Sequence, residues 1–184
     1  ASMGDVEKLD GSVPQRKLRD FIIQKSKEWE YEKEWRLIPR TIDLQKVTTI
    51  AKQFIQAGVD EITYADTIGI AHPKAIEQSV QLFMEAASNF PLGLHLHNTR
   101  GRGLANAIAG INAGVTRFDS SIGGIGGCPF APKAVGNICT EDFVSMIHAM
   151  GYETSINVEK YIEAAKWIEK KLDRTIEGMV MKTL

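Results

Sequence analysis

At 184 residues, with 43% hydrophobic and 24% charged residues, the chain has the composition of an ordinary globular domain. A net charge of -1 gives no basis for nucleic-acid binding, and no apolar run approaches the roughly 20 residues that span a membrane. Two cysteines, Cys128 and Cys139, are too few for a disulfide framework, so a reducing, cytoplasmic setting is the expectation.

Two compositions meet near residue 40. Residues 1–40 form an unassigned N-terminal segment, in which Ala1 to Gly4 read as a cloning remnant. From Trp29 to Arg36 aromatic and charged residues alternate, as in a short amphipathic strand or one face of a helix. A foreign module and a solvated leader are the two readings of this segment.

Residues 41–184 alternate helix and strand. Asp43 caps a helix in which Val47, Ile50, Ala51, Phe54 and Ile55 recur at helical spacing, and Gly58 ends it. A strand over 61–65 runs into Asp66. Pro73 then suits the first turn of a second helix, with Ile76, Val80, Phe83 and Met84 on its apolar side. A strand over 93–97, a helix over 103–113 ending at Gly114 and a strand over 115–120 follow. Thr140 starts another helix, whose Glu141 and Asp142 favour the positive N-terminal end. A last helix over 158–172 carries a packing stripe of Tyr161, Ala164, Ala165 and Ile168. Strand, helix and return recur in about 30 residues, the size of a βαβ unit, and repeated units build a parallel sheet or a (β/α) barrel.

Residues two apart on a strand share a face, so His95 and His97 point the same way with Leu94 and Leu96 against the helices. That geometry lets both imidazoles bind one metal; packing or hydrogen bonding is the plainer use of such a pair. Asp66 closes the preceding strand, where a carboxylate serves proton transfer or an Asx-type turn. Gly123, Gly124, Gly126 and Gly127 flank Ile125 in a turn whose entropic cost points to close backbone approach to a ligand or to an induced-fit loop. Cys128 follows, either as an acid or base of tuned pKa or as an inert thiol. Asn137 offers an oxygen suited to Mg²⁺ or Mn²⁺, or else caps the next helix. His72 and His148 read as surface or packing residues.

The stretches YADTIGIAHP, HLHNTRGRGLANAIAGINAG, RFDSSIGGIGGCPFAP and VGNICTEDFV resemble the C-terminal part of 3-hydroxy-3-methylglutaryl-CoA lyases over about 42–172. The resemblance implies a metal-dependent (β/α)8 TIM barrel, of which this chain carries the last three βα units, and cleavage of an acyl-CoA thioester to acetyl-CoA and acetoacetate. It implies His95, His97 and Asn137 as ligands of a divalent cation, Mg²⁺ or Mn²⁺. It also implies His95 and Asp66 near the substrate hydroxyl, and Cys128 on the substrate loop of Gly124, Gly126 and Gly127, near the enolate carbon. Asn98 stands where these lyases commonly carry Asp, and Lys133 where a small glycine is usual.

The Arg-Asp pair that the family carries on its first strand has no match in residues 1–40. An eight-stranded barrel takes about 250 residues, so impaired catalysis by the short chain is the expectation. Strand addition from residues 5–40, or a homo-oligomer, would cover the exposed sheet edges. The competing readings are a non-catalytic, truncated or fused barrel piece, and a related acyl-CoA condensing synthase, which Cys128-Pro129-Phe130 speaks against.

Overall fold

A computed structural model describes residues 5–8, 18–19, 44–127 and 135–183. Asp43, the alternating stretch from Trp29 to Arg36, Cys128 and Lys133 lie outside the described residues.

The elements in chain order are β1 (Asp5–Lys8), β2 (Leu18–Arg19), α1 (Leu44–Gln56), β3 (Ile62–Asp66), α2 (Pro73–Ala86), β4 (Leu92–Leu96), α3 (Gly103–Asn112), β5 (Arg117–Asp119), α4 (Thr140–Ala149), β6 (Tyr152–Glu153) and α5 (Val158–Leu172). Strands β3, β4 and β5 form a parallel sheet in that order, with Ala65 beside His95 and His95 beside Asp119. This is the α/β arrangement that the alternating sequence predicts.

The middle strand is the hydrophobic centre. Leu92, Leu94 and Leu96 are at most 4% exposed and pack with Ile76, Val80 and Phe83 of α2, Ala107 and Ile111 of α3, and Phe143 and Ile147 of α4. Burying each such aliphatic side chain contributes about 1.5–3 kcal/mol. On β3, Thr63 and Ala65 alternate outward and stay exposed. The sheet therefore has one face sealed by helices and one face carrying Thr63, His95, Arg117 and Asp119.

Local chemistry sets the element ends. Gly58 and Gly114 take positive φ values of 86° and 100° behind α1 and α3, where a side chain would be strained. Pro73 opens α2, and His72 caps it by accepting the Ala75 N–H at Nδ1, 3.2 Å away. His72 is thus a helix cap, a more specific use than the surface role read from sequence.

Strands β1, β2 and β6 form a separate antiparallel sheet in the order β2-β1-β6. The described residues of the N-terminal segment add no strand to β3-β4-β5: β1 pairs with β6, and the rest of the segment expected to add a strand lies outside the described residues. The two residues of β6 are too few to show a period.

A second apolar cluster joins Ile162 and Ala165 of α5 to Ile176 and Met181, with Ile122 and Ile125 partly buried against it. The buried face of α5 is consequently centred on Ile162 and Ala165 rather than on Tyr161 and Ala164, because the returning C-terminal segment, not the sheet, covers this helix. No helix among the described residues is long and apolar enough to cross a membrane.

Candidate metal centre

The parallel strands end together at Asp66, Leu96 and Asp119, and the loops behind them build one edge of the molecule. Segment 136–139 threads between two of these loops, bridging His97 to Asn137 and Ser121 to Cys139. The His97 bridge is made by Asn98 N–H to Gly136 O and Ile138 N–H to Leu96 O, each 3.1 Å. This is the non-hydrogen-bonded type of antiparallel pair, in which opposed side chains stand on one face at close range.

His95 and His97 share that face. Their Nε2 atoms are 3.2 Å apart and their ring centroids 5.0 Å apart. His97 is buried and His95 half-buried. Asn137 donates from Nδ2 to Ile125 O at 3.4 Å, which leaves its Oδ1 as an acceptor. The structure thus brings His95, His97 and Asn137 together. Two imidazole nitrogens and an amide oxygen suit a divalent cation, and the pairing of His95 Nδ1 with Asp119 Oδ2 at 3.1 Å is the outer contact that metal-binding histidines usually make. Among the described residues no group of three or more His, Cys, Asp or Glu is arranged to hold a metal ion.

Asp66 is placed differently. It pairs in register with Leu96, so it falls on the face of Tyr64 rather than that of His95. Its carboxylate accepts the Ile70 and Ala71 N–H groups at 3.0 and 3.1 Å, holding the turn that leads to α2. Burial raises its pKa against the opposing pull of those hydrogen bonds and of Arg100. The Asx-type turn is the use of Asp66 that the geometry displays.

The glycine turn is shaped mainly by the protein itself. A Cβ on Gly124, at φ 66°, would sit 2.8 Å from Cys139 Sγ, and one on Gly126, at φ 146°, would sit 2.9 Å from Asn137 Nδ2. Gly127 faces open space, immediately before the undescribed residues that include Cys128. Close approach is therefore the reason for Gly124 and Gly126, and what they approach is the strand carrying Asn137.

Sequence reasoning missed the acids that fasten this turn. Glu141 is fully buried and accepts the Gly123 N–H with both carboxylate oxygens at 3.0 Å. Asp142 accepts the N–H groups of Met179 and Val180 at 2.8–3.0 Å. Ser121 Oγ donates to Ile125 O, and Glu177 N–H donates to Gly123 O. The first turn of α4 thereby clips both the glycine turn and the C-terminal segment in place. Both acids were legible as helix N-terminal charges, but nothing in the sequence showed their burial. Asp119 was missed because the register that sets it beside His95 cannot be read from the chain. Cys139 is buried; burial, then the charges of Asp142 and Glu141, push its pKa well up and keep it protonated.

Residues 20–168 match the family described as HMGL-like. The chain is 36% identical over 137 residues to hydroxymethylglutaryl-CoA lyase of Bacillus subtilis, covering 74% of this chain and 46% of that protein. It is 40% identical over 138 residues to (R)-citramalyl-CoA lyase of Chloroflexus aurantiacus, covering 75% and 44%. An HMG-CoA lyase from Acinetobacter baumannii, solved in complex with coenzyme A and 3-methylmalate, superposes with a TM-score of 0.72 at 38% identity, over 75% of this chain and 45% of that one. The carboxyl transferase domain of Rhizobium etli pyruvate carboxylase, at 22% identity and a TM-score of 0.59, shares the fold. The chain spans about half the length of the curated relatives it matches. With residues 20–168 matched and this identity to the lyases, the chain belongs to the HMGL-like family.

Proposed function

We propose that the chain contributes the C-terminal part of a carbon-carbon lyase active site that cleaves a branched 3-hydroxyacyl-CoA thioester, with 3-hydroxy-3-methylglutaryl-CoA as the leading substrate. The observation that carries this reading is the convergence of His95, His97 and Asn137 on one face at the C-terminal end of β4, the end at which active sites of this fold are built. Relatives named for hydroxymethylglutaryl-CoA and for (R)-citramalyl-CoA support the substrate class, since both names describe hydroxyacyl-CoA thioesters.

A divalent cation, Mg²⁺ or Mn²⁺, held by His95, His97 and Asn137, would supply Lewis-acid polarisation of the substrate oxygens. The chain's own residues supply further parts of the site. Asn137 and His97 are held opposite one another by backbone hydrogen bonds, so the site's donors are fixed before substrate arrives. In such a cleavage a base takes the substrate's hydroxyl proton, the carbon-carbon bond breaks to leave acetoacetate and the acetyl-CoA enolate, and an acid protonates the enolate carbon. Cys128 is the acid proposed for the second step, delivered by the turn that Glu141 anchors. Asp66 holds the loop after β3 and acts on the substrate through that loop's position. His95 is proposed both as a ligand and as the group nearest the hydroxyl, and these roles compete for one atom, its Nε2.

One observation favours a second reading, a non-catalytic barrel piece: among the described residues the two histidines belong to no group of three or more His, Cys, Asp or Glu arranged to hold a metal ion. Both readings expect little turnover from the chain by itself, and normal steady-state turnover with Mg²⁺ would show that the site is complete. A chimera separates the two. Residues 42–172 would replace the matching stretch of the Bacillus subtilis lyase, and acetoacetate release would be followed. The lyase reading expects activity that H95A abolishes; a folded, inactive chimera would contradict it.

A further inference from the structure

We infer that Asp119 is a positioning residue for the cation site: it fixes the ring orientation and tautomer of His95, so that the Nε2 lone pair faces the site beside His97. This inference rests on the cation reading proposed above. It starts from the register of the sheet. His95 and Asp119 are direct neighbours on the parallel strands β4 and β5, and residues so paired point to the same face. The Nδ1 to Oδ2 distance is 3.1 Å, with side-chain exposures of 16% and 22%, so water competes weakly for the contact.

The contact then bears on the tautomer, which decides which ring nitrogen donates. An ionised carboxylate only accepts, so a hydrogen bond between it and imidazole requires the proton on Nδ1. A neutral imidazole with Nδ1–H carries its lone pair on Nε2, which in the metal-free chain accepts from the Nε2–H of His97, 3.2 Å away. Both partners sit on strands rather than loops, so backbone pairing sets their separation. A carboxylate in this position also makes the ligating nitrogen more basic. Asp119 thus acts on a ligand without belonging to the ligand set.

The test uses the full chain with ¹⁵N-labelled histidine, stripped with chelator, and His95 assigned by the resonances lost in H95Q. The ¹⁵N shifts are expected to show His95 protonated on Nδ1 and unprotonated on Nε2. In D119A, and in the more nearly isosteric D119L should D119A not fold, that signature is expected to move to Nε2–H or to an exchange average. Mn²⁺ affinity, read by electron paramagnetic resonance, is expected to fall about 10–100-fold, the usual loss for an outer-shell partner, and to recover in part in D119E. An Nε2-protonated His95 in the unsubstituted chain, or an unchanged signature in whichever variant folds, would overturn the inference. Should the tautomer follow Asp119 while the unsubstituted chain takes up no Mn²⁺, the cation reading falls and the assignment of Asp119 to His95 stands.

Discussion

His97 lies opposite Asn137 in an antiparallel bridge whose two flanking hydrogen bonds, Asn98 to Gly136 and Ile138 to Leu96, are both 3.1 Å. The relationship ties two loops distant in sequence to a single face, and it depends on Gly136. A Cβ there would sit 2.0 Å from Gly124 O, a backbone atom that cannot rotate away. Gly136→Ala is therefore expected to destabilise the chain by about 1–3 kcal/mol, the usual cost of overpacking. Chemical denaturation checks this, with a lower midpoint at unchanged slope as the expected outcome.

Asp142 holds the C-terminal segment through the Met179 and Val180 amides. In Asp142→Ala these two donors lose their acceptor, at a cost of about 1–3 kcal/mol if they stay buried. Hydrogen exchange should show faster exchange at Met179 and Val180 while the amides of β4 keep their protection. Unchanged protection at both positions would show that the clip contributes nothing.

Glu141 gives a pH dependence with a definite sign. Burial raises its folded-state pKa above the ordinary carboxylate value, with Asp142 adding to the rise and the Gly123 hydrogen bond opposing it. The folded state therefore binds the proton more tightly than the unfolded state. The stabilisation from this group is complete below the unfolded-state value, about 4.3, and is lost as pH rises through the raised folded value. Thermal unfolding from pH 4 upward should show a steeper fall of Tm for the unsubstituted chain than for Glu141→Gln. The slope is the readout, since the glutamine also adds two buried N–H donors and lowers the overall level. Parallel curves would refute the assignment.

Much of the fold is legible in the residues themselves. Pro73 marks a helix start because its ring fixes φ, Gly58 and Gly114 mark helix ends because glycine tolerates a positive φ without strain, and the leucines of β4 alternate with His95 and His97 at the period of a strand. What stays hidden is whatever depends on register or on distant partners. Asp66 looks like a neighbour of the histidines because it also closes a strand, yet its pairing with Leu96 sets it on the other face. Asp119 follows Phe118 in a short strand with no pattern of its own, and only the pairing with β4 gives it a role. The same limit applies to Glu141 and Asp142, whose partners lie 18 and 37–38 residues away.

The Cys139 thiol should be unreactive in the folded chain. Cys139 is 5% exposed and its thiol is held protonated by burial and by two nearby carboxylates. Iodoacetamide at neutral pH is expected to leave Cys139 unmodified in the folded chain and to modify it after unfolding in denaturant. Peptide mapping by mass spectrometry reads this directly, and labelling of Cys139 under native conditions would contradict the burial.

The central claim is that His95 and His97 hold a divalent cation together with Asn137. Its most direct measurement is Mn²⁺ titration of the chain by electron paramagnetic resonance, beside H95A, H97A and N137A. One saturable site per chain is expected, lost in either histidine variant and weakened in N137A. Equal Mn²⁺ uptake by the unsubstituted chain and both histidine variants would contradict it.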